Sequence, residues 1–322
     1  MIQVQNLVKW YGPLLAVDDV SFDVQKGEVL GFLGPNGAGK STTMRMITGF
    51  LPASSGTVHV ENLDISEHGT QARAQIGYLP ENAPAYPEMS VQAFLEFIAD
   101  IHLLQGKARD KAIERVMEIC HLSNIRHQTI DTLSKGYRRR TCLAQSMLAD
   151  SPNLVLDEPT EGLDPNQKRE VRELIRNMAH DKAIILSTHI LEEVQAICDR
   201  LIIIDQGKLI CNGTPDELCR RSSDAGTVTV RIKTQDSDQI RTKLEAISGV
   251  KNVTVLTKDQ ETATLTLQPS ASDETRFQLA DAVAEKLSEE NLTYNELHTS
   301  TGSLETFFQE VTVSETEQEN AA

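Results

Sequence analysis

The stretch GPNGAGKST, Gly34–Thr42, constrains this chain more than any other. It follows the apolar run GEVLGFL and precedes the helical pattern STTMRMITGF, so it lies between a predicted strand and a predicted helix. Closely spaced glycines let consecutive backbone N–H groups curl around phosphate oxygens. The spacing G-x-x-x-x-G-K-[ST] predicts a phosphate-binding loop formed by Gly34, Pro35, Asn36, Gly37, Ala38, Gly39, Lys40, Ser41 and Thr42.

Two residues of this loop carry most of its chemistry. The ammonium group of Lys40 is expected against the β- and γ-phosphates, and the hydroxyl of Ser41 is expected to bind Mg²⁺. The stretch therefore predicts a nucleoside triphosphate as ligand and Mg²⁺ as its cofactor.

Further short, apolar runs alternate with helical patterns. LVLDEP (154–159), AIILST (183–188) and RLIIID (200–205) indicate buried parallel strands, and the segments between them favour helices. Alternating strands and helices are typical of an α/β domain with a parallel sheet. The segment from about residue 85 to 150 shows mainly helical patterns, which predicts a helical subdomain inserted between two strands.

Two carboxylates and a histidine follow these predicted strands. Asp157 is suited to Mg²⁺, and Glu158 faces the other way if its strand continues, where it can act as general base on a water. His189 ends the next strand, at the same edge of the sheet. Paired acids or a lone histidine are usually structural, but their place downstream of a phosphate loop favours a catalytic role.

The stretch DTLSKGYRRR (131–140) lies between two helical patterns. Ser134 and Gly136 place a hydroxyl and an unhindered N–H at a helix start, an arrangement that binds anions. The spacing alone does not say which anion is bound, or whether the same molecule holds it.

The hydrophobic pattern of the sequence changes near Ser222. Alternating apolar and polar residues predict strands, and two helical patterns interleave with them in the order βαββαβ, which is that of a ferredoxin-like fold. We therefore predict a first domain at 1–221, an α+β domain at 222–312 and a disordered tail at 313–322. The predicted fold class is α/β followed by a small α+β domain.

Charge and composition exclude several classes of protein. The formal net charge is −16; residues up to Arg221 include 23 basic and 29 acidic side chains (−6), and the remainder 8 and 18 (−10). This balance argues against nucleic-acid binding. The five cysteines form no C-x-x-C pair, which favours a reducing compartment. Without a signal peptide or an apolar run long enough to span a bilayer, the chain is expected to be soluble.

In their order along the chain, these motifs resemble the ATP-binding cassette family, specifically the ATP-binding subunits of ABC transporters, over Ile2 to about Leu218. GPNGAGKST resembles the Walker A loop, LVLDEP the Walker B strand, and LSKGY the signature motif. The resemblance implies further roles: adenine stacking for Tyr11, a metal ligand at the Q-loop position for Glu81, a D-loop contact to nucleotide for Asp164, and the switch histidine for His189.

The resemblance also implies how the chain assembles. In the family two cassettes pack head to tail, so Ser134 and Gly136 are expected to bind the γ-phosphate of ATP held by a second subunit, in a homodimer. Three departures stand out: Lys135 and Tyr137 replace a glycine and the glutamine of L-S-G-G-Q, Glu81 replaces the Q-loop glutamine, and Gly162 lies where the D-loop often has another small residue.

The functional expectation is an ATPase of the ABC-2 export type, similar to drug, sodium, copper and gliding-motility ATPases. It implies a separate integral membrane permease as partner and a peripheral location on the cytoplasmic face of the inner membrane. The alternative is a soluble, non-transport ABC ATPase acting on ribosomes or DNA. The acidic charge and the lack of a second cassette, coiled coil or zinc module favour the transporter.

Overall fold

The computed structural model of the protein describes residues 1–82, 84–234, 237–258, 262–270 and 274–312. The chain divides into two compact units, Met1–Thr214 and Pro215–Ala322. The predicted disordered tail at 313–322 lies outside the described residues.

The first unit contains two sheets and a group of helices. Its strands are β1 (Ile2–Tyr11), β2 (Leu14–Val24), β3 (Val29–Leu33), β4 (Ser55–Val60), β5 (Leu63–Asp64), β6 (Ile76–Leu79), β7 (Asn153–Asp157), β8 (Ala183–Thr188), β9 (Arg200–Asp205) and β10 (Lys208–Gly213). Its helices are α1 (Lys40–Ile47), α2 (Gly69–Arg73), α3 (Val91–Ile101), α4 (Gly106–Ile119), α5 (Lys135–Met147), α6 (Pro165–Ala179) and α7 (Leu191–Ile197).

The larger sheet has the strand order β10-β9-β3-β8-β7-β6. All neighbouring pairs are parallel except β10 with β9, so the sheet is mixed. Every residue of β3, β7 and β8 is buried, which explains why these strands are continuous apolar runs in the sequence. Because these strands run the same way, the loops that follow them meet at one edge of the sheet. The predicted α/β class is confirmed.

A second, antiparallel sheet has the order β2-β1-β4-β5 and was not predicted from the sequence. Val20, Phe22 and Val24 of β2 are buried and alternate with exposed residues, so a period of two was present. This face packs on the larger sheet and α1 in one core, in which the ring centroids of Phe22 and Phe32 lie 5.1 Å apart. The core thereby holds the segment around Tyr11 beside the phosphate loop.

Helices α3, α4 and α5 follow β6 and precede β7, in the part of the chain for which a helical insertion was predicted. The side chain of Ser90 caps α3 by accepting from the backbone N–H of Ala93 at 3.2 Å. The three helices pack against one another, and each has buried apolar residues, including Phe94, Leu95, Val116, Met117, Leu143 and Met147.

The second unit comprises α8 (Pro215–Arg221), β11 (Val228–Lys233), α9 (Ser237–Glu245), β12 (Val250–Lys258), β13 (Thr262–Pro269), α10 (Leu279–Glu289), β14 (Tyr294–Thr299) and α11 (Leu304–Val311). Its antiparallel sheet has the order β12-β13-β11-β14. Ile240 and Leu244 of α9 and Val283 and Leu287 of α10 are buried in the core that includes β11 and β13. The predicted βαββαβ succession and the small α+β fold are confirmed.

The two units separate between Thr214 and Pro215, before the boundary predicted at residue 221. Helix α8 packs against α11, and the backbone N–H of Ser303 donates to Ser222 Oγ at 3.2 Å. These contacts link residues that are distant in sequence, so the change of hydrophobic pattern at Ser222 did not reveal them.

Across the described ranges, the structure contains no helix with the length and apolar character that a bilayer crossing requires.

Candidate active site

The phosphate loop begins where β3 ends and leads directly into α1. Gly39 precedes the helix with a φ of 103°, and α1 has no side-chain cap, so backbone N–H groups of its first turn are available to an anion. A Cβ atom at Gly39 would lie 2.6 Å from the carbonyl oxygen of Ala16. Both the positive φ and this close approach require glycine at the position.

Lys40 lies under this loop and is 7% exposed. Its Nζ donates to the carbonyl oxygens of Gly34 at 2.7 Å and Pro35 at 2.9 Å. Burial lowers the pKa of the ammonium group, while Glu158, Asp157 and Glu81 act in the opposite direction. Since a buried cation gains from an added anion, the position suits a phosphate oxygen.

Asp157 ends β7 and is 1% exposed. Its Oδ1 accepts from Ser41 Oγ at 3.4 Å and from the hydroxyl of Ser187. Its Oδ2 is buried, and no group in the described part of the chain donates to it. An unpaired buried carboxylate oxygen next to a hydroxyl fits a hard cation such as Mg²⁺, which prefers oxygen ligands.

Glu158 and His189 face each other at the same edge. Both carboxylate oxygens of Glu158 lie 3.0 Å from Nδ1 of His189. The expectation that strand alternation orients Glu158 needs correction, because β7 ends at Asp157 and Glu158 has a φ of 52°. The left-handed turn directs the side chain, and the backbone N–H of Glu158 is held by Ser187 Oγ at 3.1 Å.

The electrostatic surroundings of Glu158 suit a proton acceptor. The residue is 8% exposed, and burial raises the pKa of its carboxyl group. Hydrogen bonding and charge from His189, together with Lys40, oppose this effect, and Asp157 adds to it. A raised pKa brings a carboxylate closer to the value that favours general-base catalysis at neutral pH.

A cavity of about 360 Å³ opens beside the loop. It brings together the predicted residues Tyr11, Glu81 and Glu158 with much of the phosphate loop, although Tyr11 lies on a different sheet. Its walls are formed by Tyr11, Leu14, Ala16, Asn36, Gly37, Gly39, Lys40, Ser41, Thr42, Glu81 and Glu158. Tyr11 is 41% exposed, so its ring is available for stacking.

The other predicted loop residues shape the cavity from outside it. Gly34 and Pro35 present their carbonyl groups to Lys40, and Ala38 is buried in the core of the unit.

Ser134 and Gly136 do not line this cavity. Ser134 is exposed and begins α5, where its Oγ accepts from the backbone N–H of Tyr137 at 3.3 Å. Gly136 is buried, and a Cβ atom there would lie 2.4 Å from Oε1 at the end of the Gln167 side chain on α6. The structure therefore separates the signature residues from the phosphate loop of their own chain.

Asp164 is likewise outside the cavity. It caps α6 by accepting from the backbone N–H of Gln167 at 2.9 Å, and the side chain of Gln167 accepts in return from Asp164 N–H at 3.4 Å. This reciprocal capping accounts for both residues at the start of the helix.

Arg139 was missed by the sequence analysis. It is buried, and its guanidinium group donates to five backbone carbonyl groups, those of Pro80, Glu81, Asp157, Glu158 and Pro159. The distance to Asp157 O is 2.5 Å. One side chain thus ties α5 to the loops that carry Glu81 and Glu158. A run of three arginines is typical of a solvent-exposed segment, so the sequence gives no indication that Arg139 is buried and binds carbonyl groups.

Ser187 was also missed, although it holds both the Asp157 carboxylate and the Glu158 N–H. A weak signal was available, because a serine and a threonine close the otherwise apolar run AIILST.

Comparisons with known proteins agree with this geometry. The sequence profile of the family described as ABC transporter matches residues 17–161. The linearmycin resistance ATP-binding protein LnrL of Bacillus subtilis (strain 168) is 34% identical over 258 residues, which make up 79% of this chain and 82% of that protein. The probable multidrug ABC transporter ATP-binding protein YbhF of Escherichia coli (strain K12) is 37% identical over 224 residues, 69% of this chain; the match spans 39% of that relative's length.

A solved structure of the ATP-binding cassette MJ0796, a dimer in a post-hydrolysis state bound to ADP and Pi, has a TM-score of 0.62 and 20% identity. The match covers 66% of this chain and 98% of that one, which shows the shared fold. The sequence match to LnrL over most of both chains establishes the family. The chain therefore belongs to the ATP-binding proteins of ABC transporters, a family of ATPases.

Proposed function

We propose that the chain binds and hydrolyses ATP as a head-to-tail homodimer and drives a separate ABC-2 type membrane permease, in the direction of export. The convergence of Lys40, Glu158 and the unpaired oxygen of Asp157 beside one phosphate loop carries the proposal. In that complex the chain lies on the cytoplasmic face of the inner membrane, attached through the permease.

The cavity suits the parts of ATP in order. Adenine stacks on Tyr11 at one end, and the free N–H groups at the start of α1 receive the phosphates. Lys40 then exchanges a loop carbonyl contact for a phosphate oxygen, which compensates its buried charge.

Mg²⁺ fits beside Ser41 and Asp157, whose Oδ2 lacks a partner among the described residues. Glu81, exposed at the cavity wall, is the third predicted ligand and suits contact through water. When bound, the cation neutralises charge on the β- and γ-phosphates.

Hydrolysis requires a base at the γ-phosphate. Glu158 takes a proton from water as the water oxygen bonds to the γ-phosphorus. The bond from that phosphorus to the bridging oxygen breaks, and ADP and phosphate result. His189 holds the carboxylate in place through Nδ1, which carries the hydrogen because an ionised carboxylate can only accept. Its half-exposed ring leaves the other nitrogen available to the phosphate.

The dimer follows from the position of the signature residues. Ser134 is exposed and, like Gly136, lies outside the cavity of its own chain, so a γ-phosphate held by a second copy is the ligand we assign to them. The dimeric state of MJ0796, a protein of the same fold, supports this assembly.

A groove of about 530 Å³ supports the permease as partner. It runs between the ends of α1 and β6 and the helices α3 and α5, with Phe50, Tyr78, Pro80, Pro84, His102 and Gln145 among its lining residues. Phe50 is exposed, as are Ile101 and Leu103 at the end of α3. Exposed apolar side chains in and near a groove favour a protein contact, and a short permease helix is the occupant that we propose. The names of LnrL and YbhF, which refer to resistance and multidrug transport, support export.

The test uses Glu158→Gln, which keeps the shape of the side chain but not its basicity. We expect ATP turnover to fall by about 10²- to 10⁴-fold while ATP binding persists. Glu173→Gln, an exposed change on α6, is the matched control and should behave as wild type. Near-normal turnover of Glu158→Gln would contradict the assignment of the base.

The same variant tests the partner. Tagged Glu158→Gln protein is purified from detergent-solubilised membranes with ATP and Mg²⁺, and the associated proteins are identified. Recovery with a multispan permease in equal amount supports the proposal, whereas recovery only with ribosomes or DNA-bound proteins contradicts it.

A further inference from the structure

Glu193 is a buried carboxylate that does not line the cavity. It lies on α7, is 1% exposed, and makes three polar contacts. Its Oε1 accepts from Thr160 Oγ1 at 2.5 Å and lies 3.3 Å from Nζ of Lys168. Its Oε2 accepts from Thr188 Oγ1 at 3.0 Å.

These partners belong to three different segments of the site. Thr160 follows Glu158 by two residues, Thr188 directly precedes His189, and Lys168 lies on α6, the helix capped by Asp164. The two oxygens of Glu193 therefore join the turn that carries the proposed base to the strand end that carries its histidine.

Packing alone does not explain a carboxylate here. Two neutral hydroxyl groups and one partly exposed ammonium accompany it, and an apolar residue of similar volume would avoid the cost of burying a charge. The carboxylate adds directional hydrogen bonds, because each of its oxygens accepts from one threonine. Thr188 Oγ1 in turn accepts from the backbone N–H of Ile190 at 3.1 Å. The chain of contacts fixes the rotamer of Thr188 beside His189.

We infer that Glu193 is a positioning residue that sets the separation of Glu158 and His189, whose carboxylate and imidazole lie 3.0 Å apart. The inference rests on the catalytic roles proposed above for those two residues. Glu193 acts through Thr160 and Thr188 and does not line the nucleotide cavity. Its loss should therefore change the rate of the chemical step and not the binding of ATP.

The experiment compares Glu193→Gln with Glu192→Gln, its exposed neighbour on the same helix. An amide cannot accept at both of its polar atoms, so Glu193→Gln must break or reverse one threonine contact and weakens the attraction for Lys168. We expect kcat to fall by about 10- to 100-fold, because small displacements of reacting groups have effects of that size. The KM for ATP should stay near the wild-type value, and Glu192→Gln should match wild type throughout.

Thr188→Val and Thr160→Val test the same contacts if Glu193→Gln does not fold. Each removes one hydroxyl and retains the branched shape, and each should lower kcat without raising KM. A kcat near wild type in all the folded variants overturns the inference, as does a loss of kcat matched by an equal rise in KM. Glu158→Gln, assayed in parallel, separates the two proposals. If Glu158→Gln turns over ATP at the wild-type rate, the assignment of the base is wrong. If Glu158→Gln is inactive while the Glu193 and threonine variants have wild-type rates, only the positioning role is wrong.

Discussion

The cavity beside α1 and the exposed Ser134 before α5 both lie at helix N-termini, but their surroundings differ. At α1, Lys40 and Asp157 are buried, and Glu158 is held by His189. At α5, Ser134 is exposed and its hydroxyl caps its own helix. This difference is the one that the proposed dimer requires: the groups that act on charge are buried within one chain, and a surface that would contact the ligand of a second subunit stays open.

The largest effect is expected from mixing two inactive variants. Lys40→Ala removes the buried ammonium of the cavity, and Ser134→Ala removes the hydroxyl at α5. In a head-to-tail dimer formed from one chain of each variant, one site combines both defects and the other combines neither. Each variant alone should therefore lack ATPase activity, and a refolded or co-expressed mixture should recover a measurable part of it.

Mixing Lys40→Ala with Glu158→Gln is the control, because both defects affect the same cavity and no intact site can form. If the Lys40→Ala and Ser134→Ala mixture stays inactive while heterodimers are shown to form, Ser134 serves the nucleotide of its own chain. The proposed division of roles between the cavity and the start of α5 would then be wrong.

A smaller effect is expected from breaking the side chain that joins the two regions. Arg139→Met removes the guanidinium donor from the buried carbonyl groups of Asp157 and Pro159, whereas the carbonyl of Glu158 keeps the backbone N–H of Glu161 at 3.1 Å. We expect the free energy of unfolding of the first unit to fall by about 2 kcal/mol or more, since each unpaired buried carbonyl costs about 1–3 kcal/mol.

The single tryptophan, Trp10, lies in β1 and can report this transition by fluorescence during denaturant unfolding. Arg138→Met is the matched control, because Arg138 is exposed and its contacts to Ile130 O and Asp131 O, at 3.5 and 3.4 Å, are long. Equal stability of the two variants would show that the five-carbonyl contact of Arg139 is not the link that we describe.

The smallest effect concerns the buried charge of Glu158 in the nucleotide-free protein. Because burial raises the pKa of its carboxyl group, the folded state binds more protons than the unfolded state between the ordinary and the raised pKa. Stability therefore falls as pH rises through that window. Glu158→Gln should raise the unfolding temperature at neutral pH, and the gain should shrink below the ordinary glutamate pKa. A gain that is independent of pH would show that the charge does not cause it.

Much of the site could be predicted because its signals are local. A run of glycines before Lys40 and Ser41 predicts a loop of convergent N–H groups, and apolar runs that end in Asp157 or His189 predict strands that open at one edge. The second sheet was not predicted, although Val20, Phe22 and Val24 of β2 show the period of two that is typical of a half-buried strand.

The family, the phosphate loop and the alternation of the buried strands β3, β7, β8 and β9 with helices could be predicted from the sequence, because they follow from contiguous residues and their periodicity. The direction of the Glu158 side chain depends on tertiary contacts, because a left-handed turn whose backbone N–H is held by Ser187 sets it. The contacts of Arg139 with five carbonyl groups and of Glu193 with Thr160 and Thr188 likewise exist only in the folded chain. These contacts connect segments that are far apart in the chain. In the sequence, the neighbours of a buried charged residue such as Arg139 or Glu193 look no different from those of a charged residue on the surface.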